Sequence, residues 1–188
     1  MSASPAAPIG ERLALFEGAA SYALEVFSHI RAVDLDCPTP CPDWNVRAVV
    51  LHIADVADAI IGLAATGQLT LPTPRQTSTP APVAVGRQRI GVLHDTLRTL
   101  AAQPEQSDLF LAAAQSGANE LAAHGWDIAT ALRLTRPIPD ATAAALLRSV
   151  EGHLDGDTRG ENFAPAVPVR PDATRSDRFI AYLGRQPT

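Results

Sequence analysis

The segment DLFLAAAQSGANELAAHGWDIATALRL, residues 108–134, decides the fold class of this chain of 188 residues. Its later part, from about Ala112 to Leu134, predicts a long α-helix, because alanine and leucine are strong helix formers. Pro137 and Pro139 end this helix, since proline lacks a backbone N–H donor and clashes with the preceding turn. No segment of the sequence shows the apolar and polar alternation that is typical of a strand. The sequence therefore predicts an all-α protein.

Further helices are predicted on both sides of this segment from the three-to-four-residue spacing of apolar side chains. The helix that follows Pro42 has Asp43 as its predicted N-cap and ends near Gly67. The remaining predicted helices span 10–33, 83–102, 140–154 and 175–183. Four long helices with proline-rich connections predict a four-helix bundle, with an extra helix and an irregular C-terminal tail packed on it. We expect a single domain over 1–188, with residues 1–9 disordered.

The composition argues against several classes of protein. The net charge is −5 and the fifteen basic residues are scattered, whereas nonspecific binding of nucleic acid needs a basic patch. The longest apolar stretch is interrupted by Asp55 and Asp58, and no signal peptide is visible, so we expect no membrane partner and no secretion. With Cys37 and Cys41 as its two cysteines, the protein is expected in the cytoplasm.

Glu120 and His124 are the residues that indicate chemistry in the fourth long helix. Residues four apart share a helix face, so this spacing places a carboxylate oxygen beside an imidazole nitrogen. The same face carries Leu121, Ile128 and Leu132, and the pair should therefore point into the bundle. An ionised glutamate on an apolar face is costly unless it is paired or bound to a metal.

His52 is a second polar side chain beside an apolar stripe, here in the helix after Pro42. If the two helices face each other, two imidazole nitrogens meet the carboxylate of Glu120. Such a set suits Zn²⁺, with Ni²⁺ and Fe²⁺ as alternatives, and three protein ligands leave one position open for water or a substrate. On spacing alone, Glu120 and His124 could equally be a plain polar pair, and His52 a core histidine with its hydrogen bonds satisfied.

Blocks of the sequence resemble the DinB-like metal-binding four-helix-bundle family. These blocks are PTPCPDWNVRAVVLHI at 38–53, ELAAHGWDIATAL at 120–132, and FAPAVPV with RFIAYLGRQP at 163–169 and 178–187. They follow the family's order and extend over nearly the whole chain. The branch that they resemble is related to the mycothiol-dependent maleylpyruvate isomerase N-terminal domain. The resemblance implies a DinB-like bundle with His52, Glu120 and His124 as metal ligands.

The resemblance also implies a reaction. In better-understood relatives the metal activates a small thiol, because a coordinated thiol loses its proton. The chain is therefore expected to be a metal- and thiol-dependent transferase or isomerase, in which a water or thiol in the open metal position reacts. Its partners would be mycothiol or a similar small bacterial thiol and an electrophilic substrate. The isomerase has a further C-terminal domain that does not follow the bundle here, so the isomerase reaction itself is left open.

Other roles remain as alternatives to an enzyme. One is a metal-binding or stress-related binding module without catalysis, and another is a bundle with a structural or interacting role alone. A homodimer is expected, because relatives of this type often pair.

Three polar residues are weaker candidates for binding substrate or for orienting a ligand. Asp127 and Asp55 each follow a predicted ligand by about one helical turn, and carboxylates in such positions commonly orient ligating imidazoles. Arg47 could bind an acidic substrate, but a solvated side chain is as good an interpretation.

The blocks that resemble the family contain Trp44, Trp126 and Cys41, whereas Cys37 lies just before the first block. Trp126, a substrate candidate, and Trp44 are each favoured as packing residues over platforms for a substrate. Cys37 and Cys41 could chelate a metal or form a bridge, but a reducing cytoplasm favours a structural or incidental role for both.

Overall fold

The computed structural model describes residues 6–103, 105, 107–151, 154, 159 and 163–187, and these residues form helices without any strand. The helices are α1 (Ala6–Ser28), α2 (Val46–Thr66), α3 (Pro82–Ala101), α4 (Ser107–Ala131), α5 (Asp140–Glu151) and α6 (Arg175–Tyr182), with a short 3-10 turn at Ala32–Asp34. The predicted all-α bundle with additional helices is therefore confirmed.

Two helices begin earlier than predicted. α1 begins at Ala6, so residues 6–9 are helical and the prediction of disorder there is wrong, while residues 1–5 lie outside the described part of the chain. α4 begins at Ser107 and not at Ala112. Ala6 and Ala7 extend α1 through the high helix propensity of alanine, whereas Asp108 lies in the first turn of α4, where an acidic side chain suits the helix dipole.

The N-cap of α2 is Asn45 and not the predicted Asp43. The carboxamide oxygen of Asn45 accepts a hydrogen bond from the backbone N–H of Ala48 at 2.9 Å, which satisfies a donor of the first turn. Asp43 has a φ of 63°, a left-handed conformation that aspartate tolerates better than most residues, and it forms the turn before the helix. Both residue types are good N-caps, so the prediction was wrong because the extra turn is not visible in the residue types.

α3 runs antiparallel to α1 and parallel to α2. Gly86, near the start of α3, lies against Phe27 near the end of α1, and His94, farther along α3, lies 3.1 Å from Glu17, farther back in α1. Gly86 also lies against Val50 near the start of α2. Because α2 and α3 are parallel, the chain between them has to return along the length of the bundle.

This return connection, residues 67–81, is held against the side of α2. The backbone N–H of Arg75 donates to Asp55 at 3.0 Å, and the guanidinium of Arg75 binds the carboxylates of both Asp55 and Asp58. Asp58 also binds Arg89 of α3, with 3.1 Å between the atoms. The two acidic residues of α2 therefore anchor the long connection.

α4 runs parallel to α1 and packs closely against it. Gly117 of α4 lies against Phe16 of α1 and Ile60 of α2, and Gly125 lies against Tyr22. A Cβ at residue 125 would be 3.0 Å from the ring of Tyr22, so glycine permits this approach where a larger residue would push the helices apart. The approach fixes the C-terminal half of α4, which carries two of the predicted ligands.

The core lies between α1, α2, α3 and α4 and continues under α5 and α6. Each large apolar side chain that is fully buried contributes about 1.5–3 kcal/mol relative to an exposed one. The largest such side chains are Phe16, Phe27, Phe110, Phe179, Ile53, Ile90, Leu93, Leu97, Ile128, Ile138, Leu146 and Ile180.

α6 packs on α5 and ends in a Schellman motif. Gly184 has a φ of 84°, its N–H donates to the carbonyl of Ala181 at 2.9 Å, and the N–H of Arg185 donates to the carbonyl of Ile180 at 3.1 Å. The left-handed φ favours glycine, and a Cβ here would lie 2.6 Å from the carbonyl oxygen of Ala164. The motif therefore fixes where Arg185 leaves the helix.

α2 is the one helix, within the described residues, that is long and apolar enough to cross a membrane. By length and composition α2 meets this requirement, although it contains Asp55 and Asp58. The expectation that these two residues exclude such a helix is therefore wrong. Nine residues of α2 are nonetheless buried, and the helix packs against α3 and α4. The core helix of a bundle meets the same test of length and composition.

Candidate metal centre

α2 and α4 bring the three predicted ligands together. Nε2 of His52 and Nε2 of His124 each lie 3.4 Å from the same atom, Oε2 of Glu120. One donor atom from each of the three side chains lies within 4.8 Å of the other two. The side chains of His52 and Glu120 are 31% and 32% exposed, whereas that of His124 is 10% exposed. The group therefore lies at the edge of the core, with one side open to solvent.

The spacing of these atoms fits a tetrahedral metal ion. Ligand atoms that lie ~2.0–2.2 Å from Zn²⁺ in a tetrahedron are roughly 3.3–3.6 Å apart, which includes the observed 3.4 Å. Neighbouring ligands of an octahedral ion at ~2.1 Å would be only about 3.0 Å apart. A direct hydrogen bond between nitrogen and oxygen would favour about 2.9 Å. The two distances to Oε2 of Glu120 are therefore compatible with a tetrahedral ion, for which two imidazoles and one carboxylate are suitable donors.

Glu120 and His124 carry opposite charges without a metal. Burial alone would raise the pKa of Glu120, but the imidazoles of His124 and His52 beside it outweigh burial and hold the pKa well below its usual range. Burial alone would lower the pKa of His124, but its hydrogen bonds to Asp127 and Glu120 raise it to about 9. The metal-free centre is therefore an ion pair, and His124 has to lose a proton before it can coordinate.

Asp127 orients His124 through a hydrogen bond to the imidazole. Oδ2 of Asp127 lies 2.9 Å from Nδ1 of His124, and a carboxylate can only accept, so Nδ1 carries the proton and Nε2 is the nitrogen available to an ion. Arg185 donates to the same carboxylate, from Nε to Oδ1 and from Nη2 to Oδ2, both at 2.9 Å. Burial would raise the pKa of Asp127, but these bonds lower it below its usual range.

The loop before α2 places Trp44 over the two histidines. The ring centroid of Trp44 lies 4.5 Å from that of His52 and 5.9 Å from that of His124. Thr39 holds this loop, because its hydroxyl donates to the carbonyl of Trp44 at 2.9 Å and its N–H donates to the same carbonyl at 3.0 Å. Trp44 therefore covers one side of the centre and restricts the approach to the other.

Cys41 lies beside the centre, close to His124 and Asp127. Its Sγ and donor atoms of His124 and Asp127 lie within 4.8 Å of one another, which forms a second group of potential ligands. Both oxygens of Asp127 already accept from Arg185, so an ion there would have to displace a largely buried guanidinium. Burial raises the pKa of the Cys41 thiol, and the charge of Asp127 raises it further. The group on α2 and α4 is therefore the better candidate.

The remaining predicted candidates lie in different places. Asp127 contacts an imidazole, whereas Asp55 binds Arg75 and does not reach the centre. Arg47 lines an open polar groove of about 570 Å³ beside the connection between α2 and α3. Trp126 is buried in the core.

Trp44 contacts the two histidines and Arg185 contacts Asp127, although the sequence favoured packing for Trp44 and did not single out Arg185. For Trp44 the available signal was its place eight residues before His52, in a proline-rich loop that cannot continue as helix. For Arg185 the signal was Gly184, which stops an amphipathic helix and gives the following residue a fixed direction.

Metal binding is expected to release about one proton from His124 at about pH 7.5. With its pKa raised to about 9, the imidazole is mostly protonated at this pH in the metal-free protein, and a protonated nitrogen cannot coordinate. Raising the pH towards 9 should therefore strengthen binding, by about tenfold per pH unit through this group. Calorimetry with Zn²⁺ in two buffers of different ionisation enthalpy measures the number of protons released.

The control for this prediction is Asp127→Asn. This substitution removes a hydrogen-bonded anion that raises the pKa of His124, so fewer protons should be released at the same pH. Zinc binding by the parent protein without proton release would contradict the raised pKa.

Most of the chain matches a known protein family. A family model described as the mycothiol maleylpyruvate isomerase N-terminal domain matches residues 16–154. The match covers well over half of the chain and contains His52, Glu120 and His124, whereas Arg185 lies beyond it. No curated protein and no solved structure gives a significant match.

Proposed function

This chain belongs to the family of the mycothiol maleylpyruvate isomerase N-terminal domain, and we propose that it is a metal- and thiol-dependent transferase or isomerase. His52, Glu120 and His124 would hold one divalent ion, Zn²⁺ in preference to Ni²⁺ or Fe²⁺. The thiol would be mycothiol or a similar small thiol, and the second substrate an electrophile. Cys37 and Cys41 are both free, which suits a reducing cytoplasm as the place of action.

The observation that carries this proposal is the convergence of two imidazole nitrogens on one carboxylate oxygen at an open edge of the core. Both nitrogens lie 3.4 Å from that oxygen, which is longer than a good hydrogen bond and suits ligands of one tetrahedral ion. Three protein ligands leave a fourth position, as in catalytic zinc sites and unlike closed structural ones.

The residues around the centre have separate tasks in the proposed reaction. When bound, the ion would supply Lewis acidity that favours the ionised form of a small thiol at neutral pH. Asp127 keeps the proton of His124 on Nδ1, so that Nε2 faces Glu120 and His52. Trp44 covers one side, so the thiol and the electrophile would approach from the side where His52 and Glu120 are exposed.

A small thiol is expected to stabilise the zinc-loaded protein. A ligand at ~100 times its dissociation constant adds about 2.7 kcal/mol to the free energy of unfolding, which corresponds to a rise of roughly 5–10 °C in Tm for a domain of this size. The measurement is thermal melting of the zinc-loaded protein over a titration with mycothiol.

Two matched controls accompany this titration. The S-methyl derivative of the thiol has no proton to lose, and the chelator-treated protein has no ion, so neither should show the saturable shift. An equal shift in either control, or none with any small thiol, would sink the thiol-dependent reaction. Retained metal binding would then favour the alternative of a metal-binding module without catalysis.

A further inference from the structure

We infer that Arg185 is a positioning residue of the metal centre, which acts on His124 through Asp127. This inference rests on the proposed metal site and extends it to the C-terminal tail. Arg185 lies beyond the residues that the family model matches. Its guanidinium donates to Asp127 and to none of the three proposed ligands in the described hydrogen bonds. Its guanidinium nevertheless completes a continuous chain of charge-assisted hydrogen bonds that ends at His124.

The position of the proton on His124 decides which of its nitrogens can hold an ion. A neutral imidazole can carry its proton on either nitrogen, and only the Nδ1–H form presents a lone pair at Nε2. The hydrogen bond to Asp127 selects this form, because an ionised carboxylate accepts and cannot donate. The orientation of His124 therefore depends on Asp127 being ionised and fixed in place.

Arg185 fixes the carboxylate of Asp127 in place. Its side chain is fully buried, and an ionised carboxylate is costly in such a place without close donors. Arg185, itself 14% exposed, binds both oxygens at 2.9 Å in the bidentate geometry that sets the plane of a carboxylate. A single imidazole donor would satisfy one oxygen and leave the carboxylate free to rotate.

The backbone turn at the end of α6 places Arg185 beside Asp127. The Schellman motif at Gly184 turns the backbone directly after α6, and the close contact of Gly184 with Ala164 fixes that turn. α6 is tied in turn to the segment before α5, because the N–H of Ile138 donates to the hydroxyl of Ser176 at 3.1 Å. The C-terminal tail and the metal centre are therefore linked through the contact of Arg185 with Asp127.

The test compares zinc affinities of folded variants by competition with a chromophoric chelator. Arg185→Gln is expected to weaken zinc binding by about tenfold, the lower end of the ~10–100-fold loss for a partner bonded directly to a ligand, because Arg185 acts through Asp127. Arg185→Lys keeps the charge without the fork and should fall between the parent and R185Q. The matched control is Arg178→Gln, because Arg178 lies in α6, the helix that precedes Arg185, and donates to the carbonyls of Ala173 and Pro171.

A second comparison separates positioning from general stability. In an Asp127→Asn background, Arg185→Gln should cause no further loss of zinc affinity, since its path to His124 is already removed. An equal loss in both backgrounds, or equal affinities for the parent, R185Q and R178Q, would overturn the inference. If R185Q does not fold, R185K with the same background comparison decides the question.

Failure of the proposed function gives a different pattern. Zinc binding that depends on Arg185, together with no effect of any thiol, would reject the thiol-dependent reaction and support the positioning role. A thiol-dependent shift with unchanged zinc affinity in R185Q would do the reverse. A parent protein that binds no zinc would overturn both.

Discussion

Replacing His124 with alanine is expected to abolish stoichiometric metal binding. The parent protein should purify or reconstitute with about one equivalent of Zn²⁺, because three donor atoms on two rigid helices converge at tetrahedral spacing. Without Nε2 of His124 two protein ligands remain, and the affinity should fall by more than the ~100-fold that bounds the loss of an orienting partner. Elemental analysis and competition with a chelator at neutral pH measure this change.

His94→Ala is the matched control for the metal experiment. His94 is also a histidine paired with a glutamate, Glu17, but it lies between α1 and α3, away from the centre. This variant should keep the full equivalent of metal. Circular dichroism and melting of both metal-free variants show whether they fold. No zinc in the reconstituted parent, or a full equivalent in folded H124A, would mean that Glu120 and His124 are a packed polar pair alone.

The helices were predictable from local sequence, and their ends were less so. The three-to-four-residue spacing of apolar side chains reflects which face of a helix is buried, so all six helices of the described residues were predicted. The N-cap of α2 was not, because Asp43 and Asn45 are chemically equivalent as caps. Only the backbone of the loop, with φ 63° at Asp43, decides which of them faces the first turn.

The centre was predictable where its parts lie on one helix. Glu120 and His124 are neighbours through the helix repeat itself, so their contact follows from their spacing. The facing position of His52 depends on how α2 crosses α4, which periodicity does not specify, and the family resemblance supplied it. Arg185 meets Asp127 across 58 positions of sequence, through the docking of α6, and no local pattern relates the two.

Replacing Asp127 with alanine is expected to destabilise the metal-free protein by about 3–5 kcal/mol. The carboxylate is fully buried between the guanidinium of Arg185 and the imidazole of His124. Its removal leaves the charge of Arg185 in a largely buried place without its partner, and breaking a buried ion pair on one side costs about this much. His124 also loses the hydrogen-bonded anion that raises its pKa, so its protonated form is less stable in the variant. For a domain whose whole stability is ~5–15 kcal/mol, the loss would be severe.

Asp172→Ala tests whether burial causes this effect. Arg170 binds Asp172 through Nε and Nη2 at 3.0 and 3.1 Å, the same bidentate geometry as in the pair of Arg185 with Asp127. The exposed pair has side chains that are 85% and 71% accessible, and exposed ion pairs contribute only ~0–1 kcal/mol. Urea denaturation of the chelator-treated proteins should therefore separate the two alanine variants by at least about 2 kcal/mol. Equal midpoints would show that, without Asp127, the charge of Arg185 is relieved by solvent or by local rearrangement. The chain from Arg185 to His124 would then be too loose to hold a metal ligand in place.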